Sequence, residues 1–501
     1  MQEVAARSFQ STKVIVVSCR APYIHEHKDG RVTCISPAGG VTAALKPTMA
    51  AVGGVWIAQA SGSADRETAS VRGRLRVPPE RPAFELRRLW ISPELRKGHY
   101  EGLSNQALWP LCHNVYQRPV FRQSDWTAYR RVNESFAEAV LEEAQGRPAT
   151  VFIQDYHFGL LPRMLKTANP NLTVGQFWHI PFPNREIAKT FPWIDELLDG
   201  MLGNDLLGFH LRQHCDNFNE AVEATLGAQK GLHTQAVRLS RRSTSVRDVP
   251  ISIDFEQHTA QAASNEVEAA METWQRRIGP VGHVGLGIDR MDYTKGIPER
   301  LRAIGALLTR SPELRGALSF VQIGVPSRGS IAEYAELEKE IDSLVLAINQ
   351  QWGTADWTPI ILEKRNLPPV EMMALHRLAD FCMVTPLHDG MNLVAKEFVA
   401  SRFDDDGVLI LSRFAGAAEE LRTALLVNPY SESDLCRAMI SALAMSKTER
   451  RVRMADARRV VAESNVYRWA GELLQELGAI GSAQPRPVPA MRFETLSASV
   501  A

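Results

Sequence analysis

The sequence predicts an α/β protein made of two doubly wound, mostly parallel sheets with a ligand cleft between them. Three observations predict this. Short apolar runs rich in β-branched residues alternate with longer helix-patterned segments, the order that places helices on both faces of a parallel sheet. The pattern weakens across 231–254, a polar stretch containing Pro250, and then restarts with a new strand. The chain has 501 residues, too many for one ordinary core.

Taken in order, strands are expected over 13–17 (KVIVV), 150–154 (TVFIQ) and 173–179 (TVGQFWH) in the first half. In the second half they are expected over 284–287, 318–324, 359–362, 381–385 and 408–411. Helical periodicity falls over 135–143, 298–308, 331–349 and 434–445. The boundary is placed near residue 250, giving units 1–250 and 251–481. The stretch 482–501 is rich in Pro, Ala and Ser and reads as a disordered tail. No internal repeat is visible. In doubly wound sheets, ligands bind beyond the carboxyl ends of the strands, so two such units would face each other across the site.

Composition narrows the function. Lys+Arg and Asp+Glu both number 57, a formal net charge of zero, which argues against nucleic-acid binding by bulk electrostatics. The six cysteines are scattered, with no CxxC and no Cys/His cluster at metal-ligand spacing, as expected of a reducing cytoplasm. The opening MQEVAARSFQSTK lacks a signal-peptide core, and no run approaches the roughly 18 apolar residues of a membrane span. A cytoplasmic protein without membrane or nucleic-acid partners is the expectation.

Five clusters stand at strand ends. Ser18-Cys19-Arg20 follows the first strand, and Ser36-Pro37-Ala38-Gly39-Gly40 precedes a helix, where backbone N–H groups can approach a phosphate. A Gly pair before a helix is also what a plain turn looks like. Gln154-Asp155-Tyr156-His157 and His179-Ile180-Pro181-Phe182-Pro183 place polar side chains just beyond apolar runs; a lone His there can equally be a structural hydrogen-bonder. The loop 287–296 sets Arg290 and Lys295 five residues apart. Two fixed cations there would neutralise charge developing on a leaving diphosphate, although a solvated basic loop would look the same. The stretch 388–397 leads into a helix whose free N–H groups suit a phosphate. Asp389 is placed to accept from sugar hydroxyls and Glu397, two turns on, to reach a ribose; a capped helix with a solvated Glu is the alternative. Asp404-Asp405-Asp406 has no partner ligands nearby and reads as a solvated loop rather than a metal site. No complete Gly-x-Gly-x-x-Gly occurs, which counts against a dinucleotide dehydrogenase.

These residues resemble the retaining glycosyltransferase family of trehalose-6-phosphate synthases. The resemblance runs from about Val14 to about Leu477. Its carriers are SCRAP with PAGG, HYEGLSNQALWP, QDYH, FWHIPFP, GNDLLGFH, DRMDYTKGIPERL, PSRG, WTP, TPLHDGMNLVAKEFV and LSRFAGAAEEL. Each is weak alone; their joint occurrence in this order is specific. The resemblance implies two Rossmann-like domains facing across a cleft, the GT-B arrangement, with the acceptor glucose 6-phosphate on the first and a nucleoside-diphosphate glucose on the second. It implies acceptor contacts at Arg20, Tyr100, Trp109 and Arg328. Asp155 and His179 would line the junction between the sugars. The donor would meet Gly40, Arg290, Lys295, Asp389, Met391, Asn392, Leu393 and Glu397, with Met372 near the base.

The resemblance further implies retention of configuration, no cofactor, no metal in the chemistry, UDP-glucose as the favoured donor, and a homo-oligomer. The sequence departs from the family pattern at Cys19 (usually Asn), Gln154 (commonly His) and His388 (often Arg). A glucosylglycerol-phosphate synthase using glycerol 3-phosphate, a cyclitol-joining relative and a non-catalytic sugar-phosphate-binding homologue are the alternatives. Arg328 in Pro-Ser-Arg-Gly favours the hexose phosphate, and the joint presence of Asp155, His179, Arg290, Lys295 and Glu397 speaks against a degenerate homologue. No phosphatase-like region follows the synthase-like one, so dephosphorylation is expected from a separate enzyme.

Overall fold

The computed structural model describes residues 12–37, 40–231, 236–240 and 242–483. The first sheet is built from β1 (Lys13–Arg20), β4 (Val55–Gln59), β5 (Arg74–Val77), β6 (Phe84–Leu89), β7 (Ala149–Gln154), β8 (Thr173–Phe177), β9 (Leu206–Phe209), β10 (Gln229–Lys230), β11 (Ala236–Leu239) and β12 (Arg242–Asp248). Their order is β10-β11-β12-β9-β8-β7-β1-β4-β6-β5. The strands from β12 to β6 run parallel, and antiparallel pairs close both edges. A separate antiparallel hairpin, β2 (Ile24–Lys28) and β3 (Arg31–Ile35), leads toward the helix Gly40–Val52.

The second sheet is parallel throughout. It contains β13 (His283–Arg290), β14 (Leu318–Val325), β15 (Ile360–Glu363), β16 (Phe381–Val384), β17 (Val408–Ser412) and β18 (Leu425–Val427), in the order β15-β14-β13-β16-β17-β18. The alternation read from sequence thus produces two parallel sheets with helices on their faces. Central strands such as β7, β8 and β17 are buried at every position, which is why they read as unbroken apolar runs.

Three expectations are corrected. The polar stretch 231–254 is not a break in the pattern. It contains β11 and β12, with Thr244 and Val246 turned inward and the intervening residues more open, so its polarity reflects half-exposed strands near a sheet edge. Strands β4, β5, β6 and β9 went unmarked in the sequence. In β6, Arg87 and Arg88 are buried but paired. Arg88 meets Asp65 at 2.9 Å, and Arg87 meets Glu143 at 2.9 Å. Finally, the helix Val466–Ala483 includes Ser482, so the proposed tail begins as helix; residues 484–501 lie outside the described residues.

That last helix follows the second sheet in sequence but packs on the first. Trp469 meets Phe177 edge-on at 5.1 Å, and Leu473, Leu474 and Leu477 join the same core. Each such fully buried apolar side chain contributes about 1.5–3 kcal/mol. Beside it Arg247 pairs with Glu476 at 2.9 Å, tying β12 to the helix. Within the second sheet, Arg300 on the helix Ile297–Arg310 is fully buried. It donates to Asp289 (2.8 Å), Gln322 (2.9 Å) and Thr385 (3.0 Å), linking β13, β14 and the end of β16. This knot adjoins the loop that holds Arg290 and Lys295: Asp289 directly precedes Arg290, and the Arg300 guanidinium lies 3.5 Å from the Lys295 carbonyl.

Candidate active site

The clusters that follow β1, β7, β8, β13 and β16 converge where the carboxyl ends of the two sheets meet. On the first side, Arg20 ends β1, and its guanidinium donates to the Tyr100 hydroxyl at 2.9 Å. Tyr100 lies in a π-helical segment, Lys97–Leu108, and stacks on His157 at 5.6 Å with the rings nearly parallel. Asp155 follows β7 with φ +73°, a conformation disfavoured for a side chain with a Cβ. Its Oδ1 accepts from the backbone N–H groups of Tyr156 (2.9 Å) and His179 (3.2 Å). Burial pushes the Asp155 carboxyl up to about 6, against those two donors. The His179 ring donates from Nε2 to Gln154 Oε1 at 3.0 Å, and burial pushes it down to about 3.

On the second side, Arg290 ends β13 and Lys295 closes a short 3₁₀ turn, Tyr293–Lys295. Gly296 follows with φ +64°, and a Cβ there would meet the Thr385 carbonyl at 2.4 Å, so only glycine lets the chain turn into the next helix so close to β16. Lys295 Nζ is 2.5 Å from Asp389 Oδ2, and Asn392 donates to the same oxygen at 3.1 Å. Met391 is buried, and Leu393 opens the helix Leu393–Ser401 on which Glu397 sits. Burial pushes the Glu397 carboxyl up to about 7, and no hydrogen bond or ion pair holds it within the described residues. Met372, on the helix Pro369–Leu378, packs with Leu393 against one apolar cluster. Gly40 begins the helix Gly40–Val52, while Ala38 and Gly39 lie outside the described residues.

The two sides touch through Trp109. Its indole N–H donates to Asp292 Oδ1 (3.3 Å), while Arg328 and Arg290 lie over the ring at 4.3 and 5.6 Å. Asp292 is fully buried and also accepts from Arg328 (3.1 Å), Tyr334 (3.3 Å) and Thr294. Burial would raise its carboxyl; Arg328, Arg290 and Lys295 outweigh that and hold it at about 2. A second bridge runs from His388 Nδ1–H to the His113 carbonyl at 2.5 Å. A third is a close approach: a Cβ on Gly390 would stand 2.6 Å from the His179 carbonyl. Of the residues named from sequence, Trp109, Arg328 and Arg290 therefore meet in one cluster with Asp292 and Tyr334, while Arg20 with Tyr100, and Lys295 with Asp389 and Asn392, form two further polar groups.

A model of glycosyltransferase family 20 matches residues 12–479. The chain belongs to glycosyltransferase family 20. Family 20 relatives include a trehalose-6-phosphate synthase of Mycobacterium avium (strain 104), 37% identical over 482 residues and covering 95% of this chain and 97% of the relative. A bifunctional trehalose-6-phosphate synthase/phosphatase of Thermoproteus tenax is 37% identical over 495 residues, 96% of this chain; that match spans 65% of the longer relative. Among solved structures, one from E. coli bound with UDP-2-fluoro glucose matches with a TM-score of 0.83 at 29% identity, covering 93% of this chain and 99% of that one. An α,α-trehalose-phosphate synthase (UDP-forming) from Burkholderia xenovorans in complex with glucose-6-phosphate gives 0.82 at 28%, with the same coverage. The family 20 chain has the GT-B arrangement of two Rossmann-like sheets.

Two residues of the cluster around Trp109 escaped the sequence reading. Asp292 lies inside the DRMDYTKG motif, but nothing in that spacing reveals its bond to Trp109, 183 positions away. Tyr334 lies in a helix with no motif around it, and its partnership with Arg328 and Asp292 is visible only in three dimensions. The aspartates 404–406 each meet an arginine: Arg402–Asp404 at 3.0 Å, Arg458–Asp405 at 3.2 Å and Arg450–Asp406 at 2.7 Å. They are ion-paired rather than merely solvated.

Proposed function

We propose that this chain is a retaining glucosyltransferase that moves glucose from UDP-glucose to glucose 6-phosphate, forming α,α-trehalose 6-phosphate. The observation that carries the reading is the single network through Trp109 and Asp292, which brings Arg328 and Arg290 over one indole. A phosphorylated acceptor and a diphosphate donor need cations in these two adjacent places. The relatives named trehalose-6-phosphate synthase, and the neighbours bound with UDP-2-fluoro glucose and with glucose-6-phosphate, support the same pair of substrates.

In this reading residues 1–250 hold the acceptor and 251–481 the donor. The acceptor's anomeric hydroxyl attacks C1 of the donor glucose on the face from which UDP departs. The bond between C1 and the diphosphate oxygen breaks, and the acceptor proton passes to the departing phosphate. Lys295 and Arg290 stabilise the charge growing on that phosphate, which supplies the electrostatic help without requiring a metal. Asp155 and His179 accept and orient hydroxyls where the sugars meet. Asp389, Met391, Asn392 and Leu393 form the donor loop, Met372 lies beside the base, and Glu397 binds the ribose.

Arg328→Ala tests the acceptor side. KM for glucose 6-phosphate should rise at least tenfold, because a charge-assisted hydrogen bond is worth about 1.5–3 kcal/mol. An unchanged KM would remove the hexose phosphate from this arginine. Glu397 tests the donor side. In the free protein its carboxyl gains a proton as pH falls through about 7. A ribose hydroxyl donates best to the ionised form, so donor KM should rise as pH falls below 7. Glu397→Gln should raise donor KM roughly tenfold and abolish that acid limb; a variant that keeps the limb would assign it to another group.

A further inference from the structure

Gln154 ends β7 with a side chain that is 1% exposed, and both ends of its amide are engaged. Its Nε2 donates to the Ile153 carbonyl at 3.2 Å, so its Oε1 points the other way and meets His179 Nε2 at 3.0 Å. Flipping the amide would set two oxygens against each other at the Ile153 end, and that repulsion selects the orientation. An amide oxygen only accepts, so the proton of this contact sits on His179 Nε2. The imidazole is neutral near pH 7, since burial pushes it down to about 3, and it has one proton to place. Nδ1 is therefore the bare nitrogen. It has no hydrogen-bond partner within the described residues and is not completely sealed, on a residue that is itself half-buried.

The rest of the surroundings fix the ring. Phe177 and Trp469 flank it at 4.7 and 6.0 Å, and His210 lies at 5.4 Å. Its backbone N–H is bound by Asp155, and its carbonyl abuts Gly390 of the donor loop. The imidazole thus stands between the acceptor and donor sides with one acceptor lone pair unpartnered.

Resting on the transfer reaction proposed above, we infer that Gln154 is a positioning residue that locks His179 in its Nε2–H tautomer, so that Nδ1 accepts a hydrogen bond from a sugar hydroxyl in the cleft. A histidine at position 154 could donate as well as accept and would leave the tautomer open. Glutamine, anchored on Ile153, presents only an acceptor. The substrate group at this point is therefore a hydroxyl donor, and an analogue with hydrogen or fluorine in its place is discriminated against.

The test is a two-bond ¹⁵N–¹H correlation spectrum of the full chain labelled at histidine, with the His179 signals identified by their loss in His179→Gln. Nδ1 should resonate as an unprotonated nitrogen and Nε2 as a protonated one. Gln154→Leu should mix the two tautomers and lower kcat/KM about tenfold, the scale of one misdirected neutral hydrogen bond. Gln154→Glu, buried and protonated on the oxygen that faces the Ile153 carbonyl, keeps an acceptor oxygen toward the ring and should restore the Nε2 proton and most of kcat/KM. Should the leucine variant fail to fold, the native spectrum and the glutamate variant still decide. A protonated Nδ1 in the native protein, or an unaltered tautomer and rate in Gln154→Leu, overturns the inference. The spectrum reads the tautomer without substrate, so its failure is distinct from a failure of the transfer reaction, which a product assay reads.

Discussion

Lys295→Ala should lower kcat for glucosyl transfer by about two to three orders of magnitude, the typical loss when one preorganised group facing transition-state charge is removed. The ammonium is held 2.5 Å from Asp389 and stands at the end of a turn fixed by Gly296. It is thus in place before any substrate arrives, and little reorganisation is needed when the diphosphate leaves. The effect belongs to kcat rather than to donor KM, because the charge it meets grows only as the bond breaks. Lys295→Arg keeps the charge but not the compact geometry and should recover part of the loss. Single-turnover rates with saturating UDP-glucose and glucose 6-phosphate measure this directly. A kcat within a fewfold of the native value would take Lys295 out of the chemistry.

Arg300→Leu should destabilise the protein by about 3–5 kcal/mol, the cost of leaving a buried partner charge without its counter-ion. Arg300 is fully buried, and Asp289 beside it is nearly so. Burial already raises the Asp289 carboxyl even with Arg300 present. Without the guanidinium it rises further, and the folded state then binds a proton that the unfolded chain, titrating near its ordinary value of about 4, releases. A carboxyl raised in the folded state loses stability as pH rises between those two values, so the deficit of Arg300→Leu should grow from acid to neutral pH. Urea unfolding at pH 5 and pH 7.5, followed by tryptophan fluorescence, measures both the size and the sign. Replacing Asp289 by Leu as well should recover part of the loss. A deficit under 1 kcal/mol at neutral pH would mean that water or a neighbour compensates the aspartate.

What the sequence made legible follows from burial. Strands β1, β7, β8, β13, β14, β16 and β17 are interior parallel strands, and their apolar runs stand out without any structure. The exceptions are β4 and β9, whose VWIAQ and LLGF are buried throughout yet went unmarked. Strands β6 and β12 were hidden for a different reason: their polar residues are accommodated by partners far away in sequence, Glu143 for Arg87 and Glu476 for Arg247.

The candidate site divides in the same way. Residues that sit at strand ends inside motifs (Arg20, Asp155, His179, Arg290, Lys295, Asp389) could be named in advance. The meeting of Arg290 and Arg328 over Trp109 could not, because it depends on Asp292 reaching across from the second sheet. His388, where an arginine is common in the family, forms a bridge to the His113 carbonyl instead. No spacing in either half foretells that contact.

The most direct test is a product assay on purified protein, crossing UDP-, ADP- and GDP-glucose with glucose 6-phosphate and glycerol 3-phosphate in the presence of EDTA. The predicted result is α,α-trehalose 6-phosphate from UDP-glucose and glucose 6-phosphate, undiminished by the chelator. Product formed only with glycerol 3-phosphate, or no product from any pair, would contradict it.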